Sequence, residues 1–153
     1  MLATHEDAAA AAVHAAAQLA SVRRALPYVA PLLARVAGAH RARNPKLDPL
    51  CDAGLALVDA IEAHLDEPGP GARLPAEAPA HGEPRRRPAA CGHPAEIARL
   101  LARVRALADG YAAPDWASRA YRTLMEELEA LEAGLAEGLG VRPLAPAAPA
   151  LAA

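Results

Sequence analysis

The chain has 153 residues, a hydrophobic content of 54% and a formal net charge of −2, so it is long enough to bury one core. The slight negative charge excludes broad electrostatic attraction to nucleic acid or to anionic membranes. Phe is absent, alanine is the most frequent residue, and runs of β-branched and aromatic residues are missing. This composition favours an all-α protein with a core of Leu, Val and Ala.

The N-terminal segment is rich in alanine, and Thr4 or Asp7 is a suitable N-cap for a first helix. Pro27 and Pro31 interrupt the pattern, because an internal proline removes a backbone hydrogen bond and clashes with the preceding turn. We therefore predict a first helix that is kinked at these prolines and continues to about Arg43. Its inner face would carry Val29, Leu33, Val36 and His40.

A second helix is predicted to about Glu67, with Asp48 as N-cap and Pro49 at the first helical position. Its apolar stripe, at steps of three and four residues, consists of Leu57, Ile61, His64 and Leu65. Residues 68–92 are rich in proline and show no periodicity, so we expect a flexible connection there. The run of three arginines at 85–87 is typical of a solvated charge run, because no aromatic residue interleaves with it.

Two further amphipathic helices are predicted between Pro94 and Gly140, joined at residues 110–114. Their buried stripes would be Ile97, Leu100, Leu101, Val104 and Leu107, then Ala117, Tyr121, Leu124, Leu128, Leu131 and Leu135. We expect the charged residues of the opposite faces to stay in water, namely Arg99, Arg103, Arg105, Glu126, Glu127, Glu129 and Glu132. The sequence thus predicts an up-down-up-down four-helix bundle over residues 1–142 and a disordered tail at 143–153.

The chain lacks the usual sequence patterns of a metal or catalytic site. No histidine has a glutamate three residues before it, and none has an acidic residue four positions after it. Cys51 and Cys91 form neither a CxxC pair nor a zinc pattern, so we expect ordinary thiols in a reducing compartment. Phosphate-binding loops and nucleophile elbows are also missing. The sequence therefore indicates no enzyme.

His40 and His64 each follow an apolar stripe, on helices that are neighbours in the chain. One interpretation is a pair of partly buried histidines that are satisfied by backbone or water, and the other is a pair of metal ligands. His40 ends one helix and His64 nearly ends the next. Antiparallel packing would place them at opposite ends of the bundle unless the kink and the turn compensate.

Four segments carry a family resemblance in a fixed order: VRRALPYVAPLLARVAGAH, EAHLDE, RLP and LARVRALADGYAAPDWASRAYRTLMEELEALEAGL. Together they resemble the hemerythrin-like (HHE cation-binding) domain, and specifically the iron–sulfur cluster repair di-iron proteins. The resemblance covers about residues 19–144, and its most specific part begins at GYAAPDWAS. It implies a four-helix bundle around a non-haem di-iron centre with His and Glu ligands, which handles O₂ or nitric oxide or supports cluster repair.

Carried over residue by residue, the resemblance assigns metal ligands to His40 and His64. Two further ligand positions fall on prolines, Pro68 and Pro94. In each case a residue of the required type is the direct neighbour in the chain, namely Glu67 and His93. Such a shift rotates a helical side chain by about 100°, so His93 and Glu67 are weaker candidates. The remaining ligand positions fall on residues that cannot bind iron, namely Leu19, Gly138 and Arg142.

We therefore expect a degenerate hemerythrin-like protein without a cofactor, acting as a binding, regulatory or structural module. The alternative is a non-haem iron protein that binds O₂ or nitric oxide or supports cluster repair, with a di-iron centre or an altered mononuclear site built from His40 and His64 plus His93, Glu67 or His14. A homodimer or a protein partner is compatible with the sequence, whereas nucleic-acid and membrane binding are not expected. Acidic residues stand where a secretory signal needs basic ones, so we expect a cytoplasmic protein.

Overall fold

The computed structural model describes residues 3–67 and 93–143, and within these residues it contains helices and no strand. The helices are α1 (Ala3–His40), α2 (Leu47–Asp66), α3 (His93–Leu107) and α4 (Arg119–Leu139), with a short 3₁₀ turn at Asp109–Tyr111. The prediction of an all-α protein with four helices is confirmed for this part of the chain. The predicted flexible connection at 68–92 and all but the first residue of the predicted tail lie outside the described residues.

α1 is one helix of 38 residues that includes both Pro27 and Pro31. Both prolines are exposed, so the carbonyl groups one turn earlier that lose a hydrogen bond lie on the solvent side. The strong helix propensity of alanine carries the helix back to Ala3, and Thr4 and Asp7 therefore lie inside it, contrary to the predicted caps. A kink at the prolines stays a prediction.

α2 begins two residues before the predicted first helical position, and Lys46 occupies its N-cap position without a side-chain cap. The predicted cap, Asp48, lies in the first turn, where its charge interacts favourably with the helix dipole. The turn that precedes α2 lies at Asn44, before Asp48, because Asn44 Oδ1 accepts a hydrogen bond from the Lys46 backbone N–H at 3.0 Å. This side-chain turn, and not an Asp48 cap, sets the start of the helix.

The predicted apolar stripes form the core. Of the two stripes predicted between Pro94 and Gly140, every residue is buried except Leu107, which is partly buried. α1 and α2 contribute their predicted Val, Leu and Ile side chains, whereas His40, His64 and Leu65 are only partly buried. Each fully buried Leu or Ile contributes about 1.5–3 kcal/mol, so these faces account for the association of the helices.

α1 approaches α2 closely at Gly54. A Cβ atom at this position would lie 2.5 Å from Leu33 Cδ1, so the Leu33 side chain occupies the space that any other residue would fill. The contact joins the last quarter of α1 to the first half of α2. The packing of these two helices therefore depends on the absence of a side chain at Gly54.

The link between α3 and α4 contains a left-handed turn. Asp109, Gly110 and Tyr111 have φ values of 50°, 69° and 70°. A left-handed conformation costs a non-glycine residue about 1–2 kcal/mol, so contacts elsewhere must hold it. Lys46 Nζ lies 2.6 Å from Asp109 Oδ1, which ties the turn to the start of α2.

Glu132 anchors the same turn from α4. Its Oε2 accepts a hydrogen bond from the Tyr111 hydroxyl at 2.5 Å, and its Oε1 accepts one from Arg105 at 2.6 Å. Its side chain is only 13% exposed. The prediction that Glu132 belongs to a solvated face is therefore wrong, because helical periodicity does not reveal hydrogen-bond donors on other segments.

We predict that Gly54→Ala destabilises the protein by about 1–3 kcal/mol, because the added methyl group must displace the Leu33 side chain. Gly38→Ala is the matched control, since the nearest heavy atom to a Cβ there is Arg41 Nη2 at 3.9 Å. The control should gain up to about 1 kcal/mol from helix propensity. Urea unfolding followed by circular dichroism measures both, and equal effects at the two glycines would contradict the packing.

Burial and the hydrogen bond to Glu132 raise the pKa of Tyr111 far above its ordinary value of 10.0. As pH rises past about 10, the unfolded chain loses this proton first, so the stability present at neutral pH should decline there. Tyr111→Phe should flatten that decline. Tyr28→Phe is the control, because Tyr28 is 73% exposed. The measurement is the free energy of unfolding in urea at several alkaline pH values, and identical pH profiles for wild type and Tyr111→Phe would refute the assignment.

Candidate functional site

The two histidines predicted as metal ligands lie at opposite ends of the bundle. His64 is beside Leu65, whose carbonyl oxygen accepts a hydrogen bond from Arg23 Nη2 at 2.9 Å. Arg23 and His40 are 17 residues apart on α1, which is about 26 Å at 1.5 Å per residue. Metal–nitrogen bonds are about 2 Å long, so one metal ion cannot bind both histidines.

Among the described residues, the weaker ligand candidates complete no group of three possible ligands around His40 or around His64. Glu67 follows the end of α2 and is exposed, whereas the side chain of His93 lies outside the described part of the structure. His14 is exposed on α1, with Nε2 at 3.1 Å from Glu137 Oε2. In residues 3–67 and 93–143, no group of three or more His, Cys, Asp or Glu side chains could hold a metal ion. Metal binding by His40 or by His64 separately stays a prediction.

Leu19 and Gly138, two positions to which the sequence resemblance assigns metal ligands, contact each other between α1 and α4. A Cβ atom at Gly138 would lie 2.7 Å from Leu19 Cδ2 and 2.8 Å from Leu19 Cγ. Hydrocarbon therefore fills the place where two ligands would converge, and it offers no donor atom. The residues present do not fit the di-iron centre that the resemblance implies.

His40 lies at the other end of the bundle, in a cluster with Trp116, Ser118 and Tyr121 that we call the His40 cluster. His40 Nε2 is 2.9 Å from Ser118 Oγ, and the His40 ring centroid is 5.8 Å from those of Trp116 and Tyr121. The guanidinium carbon of Arg43 lies 5.4 Å from the Trp116 ring centroid, which is a cation–π contact. The turn after α1 and the link before α4 thus meet around one imidazole.

Ser118 connects this cluster to the start of α4. It is the N-cap residue, and its Oγ accepts a hydrogen bond from the Tyr121 backbone N–H at 3.3 Å. A serine hydroxyl has one donor and two acceptor positions, so Ser118 has capacity left for His40 Nε2. The tautomer of His40 decides which of the two donates. A serine before an apolar run signals a cap, but the pairing with a residue 78 positions away has no sequence signal.

An open cleft of about 320 Å³ lies beside the His40 cluster, between α1 and α4. It is lined by Arg35, Val36, Ala39, His40, Ser118, Arg119 and Ala120. Both arginines are exposed, and neither forms a hydrogen bond or ion pair with another described residue. Sites for small molecules typically have volumes of about 300–1,000 Å³, so this cleft lies at the lower end of that range.

The thiol of Cys51 is not activated as a nucleophile. Cys51 is partly buried, and burial, together with the charges of Asp52 and Asp48, raises the pKa of its thiol. A raised thiol pKa lowers the thiolate fraction at neutral pH and hence the reactivity. Cys91 lies outside the described residues.

Comparisons of the chain with protein-family models, with curated proteins and with solved structures found no match. None of the described helices is both long and apolar enough to cross a bilayer.

We predict that Ser118→Ala destabilises the protein by about 1–2 kcal/mol, because it removes both the cap of α4 and the partner of His40. Ser21→Ala is the control, since Ser21 is exposed in the middle of α1 and makes no hydrogen bond with its side chain to another described residue. Its effect should stay within about 0.5 kcal/mol. Thermal and urea unfolding compare the two variants. A neutral Ser118→Ala would show that the hydroxyl does not hold the start of α4.

Proposed function

We propose that the chain is a metal-free, hemerythrin-like bundle that acts as a binding module, with the cleft beside the His40 cluster as its binding surface. The proposed topology is up-down-up-down. Three contacts support it: His14 near the start of α1 with Glu137 near the end of α4, Leu33 with Gly54, and Lys46 before α2 with Asp109 after α3.

The contact between Leu19 and Gly138 carries this proposal. The two positions are far apart in the chain, and the family resemblance assigns both of them to one metal site. Their close approach supports the register of that resemblance. Their side chains, an isobutyl group and a hydrogen atom, support the loss of iron, because neither has a donor atom.

Charge supports the same conclusion. Two iron ions carry at least four positive charges, which a di-iron site offsets with bridging carboxylates. The last ligand position of the family falls on Arg142, which is exposed and adds positive charge. The nearest described carboxylate on α4, that of Glu137, is 53% exposed and lies beside His14.

The end of the bundle near His40 has what a binding module requires. It combines a cleft with polar groups from both α1 and α4, and two of the lining residues, His40 and Ser118, are joined by a hydrogen bond. The capping role of Ser118 and the aromatic contacts of His40 fix these side chains before any ligand arrives. Such preorganisation lowers the entropy that binding must overcome.

A non-haem iron protein with an altered site is the second candidate, and His64 is the observation that favours it. His64 Nδ1 is shielded from solvent, and His64 lies at the same end of the bundle as Leu19 and Gly138. An altered mononuclear site would therefore form around His64 and not around His40.

Elemental analysis of protein purified without oxygen separates the two candidates. The proposal predicts iron far below one atom per chain and no visible absorption of an oxo-bridged pair. Stoichiometric iron that His64→Ala removes and His40→Ala leaves unchanged would instead establish the altered iron site. Circular dichroism of both variants verifies that the fold is retained.

A further inference from the structure

We propose that the cleft between α1 and α4 binds the phosphate group of a small phosphate monoester. This inference rests on the proposed function, because it names the ligand of that binding surface. It follows from the charge, the donors and the size of the cleft.

The charge of the cleft is positive on both walls. Arg35 belongs to α1 and Arg119 is the first residue of α4, and neither guanidinium is engaged by another described residue. None of the residues that line the cleft is acidic. Asp115, three residues before Ser118, is exposed, and its carboxylate forms no ion pair with Arg35 or Arg119. A doubly charged oxyanion would therefore meet two guanidiniums that no carboxylate neutralises.

The donors of the cleft suit a tetrahedral oxyanion. Guanidinium groups present paired N–H donors that match phosphate oxygens. When His40 Nε2 donates its hydrogen bond to Ser118 Oγ, which lies 2.9 Å away and also accepts from the Tyr121 N–H, the Ser118 O–H remains available as a donor to the phosphate. Arg119 and Ala120, the first two residues of α4, also line the cleft, and the Ser118 side chain caps only the N–H of Tyr121.

The size and the remaining wall of the cleft indicate an ester and not the free ion alone. Val36, Ala39 and Ala120 supply apolar surface beside these polar groups. A volume of about 320 Å³ leaves room for an organic group in addition to the phosphate. An organic substituent on that wall would bury apolar surface and increase affinity.

The chain has one tryptophan, and Trp116 lies against His40. Its fluorescence therefore reports on the surroundings of His40, which lines the cleft. The full chain is titrated at neutral pH and constant ionic strength with phenyl phosphate, inorganic phosphate, sulfate, benzoate and chloride. At this pH a phosphate monoester carries nearly two negative charges.

We expect saturable binding of phenyl phosphate, about tenfold tighter than that of inorganic phosphate or benzoate. Arg35→Gln and Arg119→Gln should each weaken it about tenfold, since each removes a charge-assisted contact. Arg103→Gln is the matched control, because Arg103 is an exposed arginine on α3 without a partner among the described residues. Ala39→Leu should abolish binding by filling the cleft.

Three outcomes would overturn this inference: no saturable change with phenyl phosphate, equal binding of benzoate, or equal weakening by Arg103→Gln. A response shared with chloride would identify a general salt effect and would also overturn it. The titration measures ligand binding, and the iron content is measured separately. A chain without iron that ignores phenyl phosphate therefore refutes the ligand and leaves the metal-free bundle standing, whereas stoichiometric iron refutes the bundle's proposed function independently.

Discussion

The close packing of α1 against α4 constrains the rest of the structure. Gly134 and Gly138 are one helical turn apart on α4, and each receives a side chain of α1, from Val22 and Leu19 respectively. Because neither glycine has a Cβ atom, the two helices approach more closely than larger residues would allow. A helix transmits this register along its length, so the contacts at one end also determine which residues meet at the other. The pairing of His40 with Ser118 is thus a consequence of glycines a long way along the same helix.

The packing of α1 against α4 gives the two ends of the bundle different chemistry. At the end with Leu19, hydrocarbon fills the space where the family resemblance implies metal ligands, so that end contributes apolar burial and no coordination. At the end with His40, two connections meet and bring polar groups together beside an open cleft. Apolar side chains that pack against each other need no ligand, whereas unpaired guanidiniums at a cleft favour an anionic ligand. For this reason the proposed binding surface lies at the His40 end.

The left-handed turn between α3 and α4 connects folding to that surface. The turn is strained, and it persists because Tyr111 and Arg105 both bond to Glu132 while Lys46 holds Asp109. Through this turn the chain delivers Ser118 to the position from which it caps α4 and contacts His40. A carboxylate that is nearly buried on α4 therefore supports the site without touching it.

The sequence by itself determined the helices and the residues of each that face the core, because an apolar stripe with helical periodicity is a local property of a short segment. It did not determine the cap of α2, the burial of Glu132 or the pairing of His40 with Ser118, since each depends on atoms contributed by distant or non-helical segments. It also left open whether His40 and His64 share a site. The tertiary structure places the two histidines apart, because 17 residues of α1 lie between His40 and Arg23, which donates a hydrogen bond to the carbonyl oxygen of Leu65 beside His64.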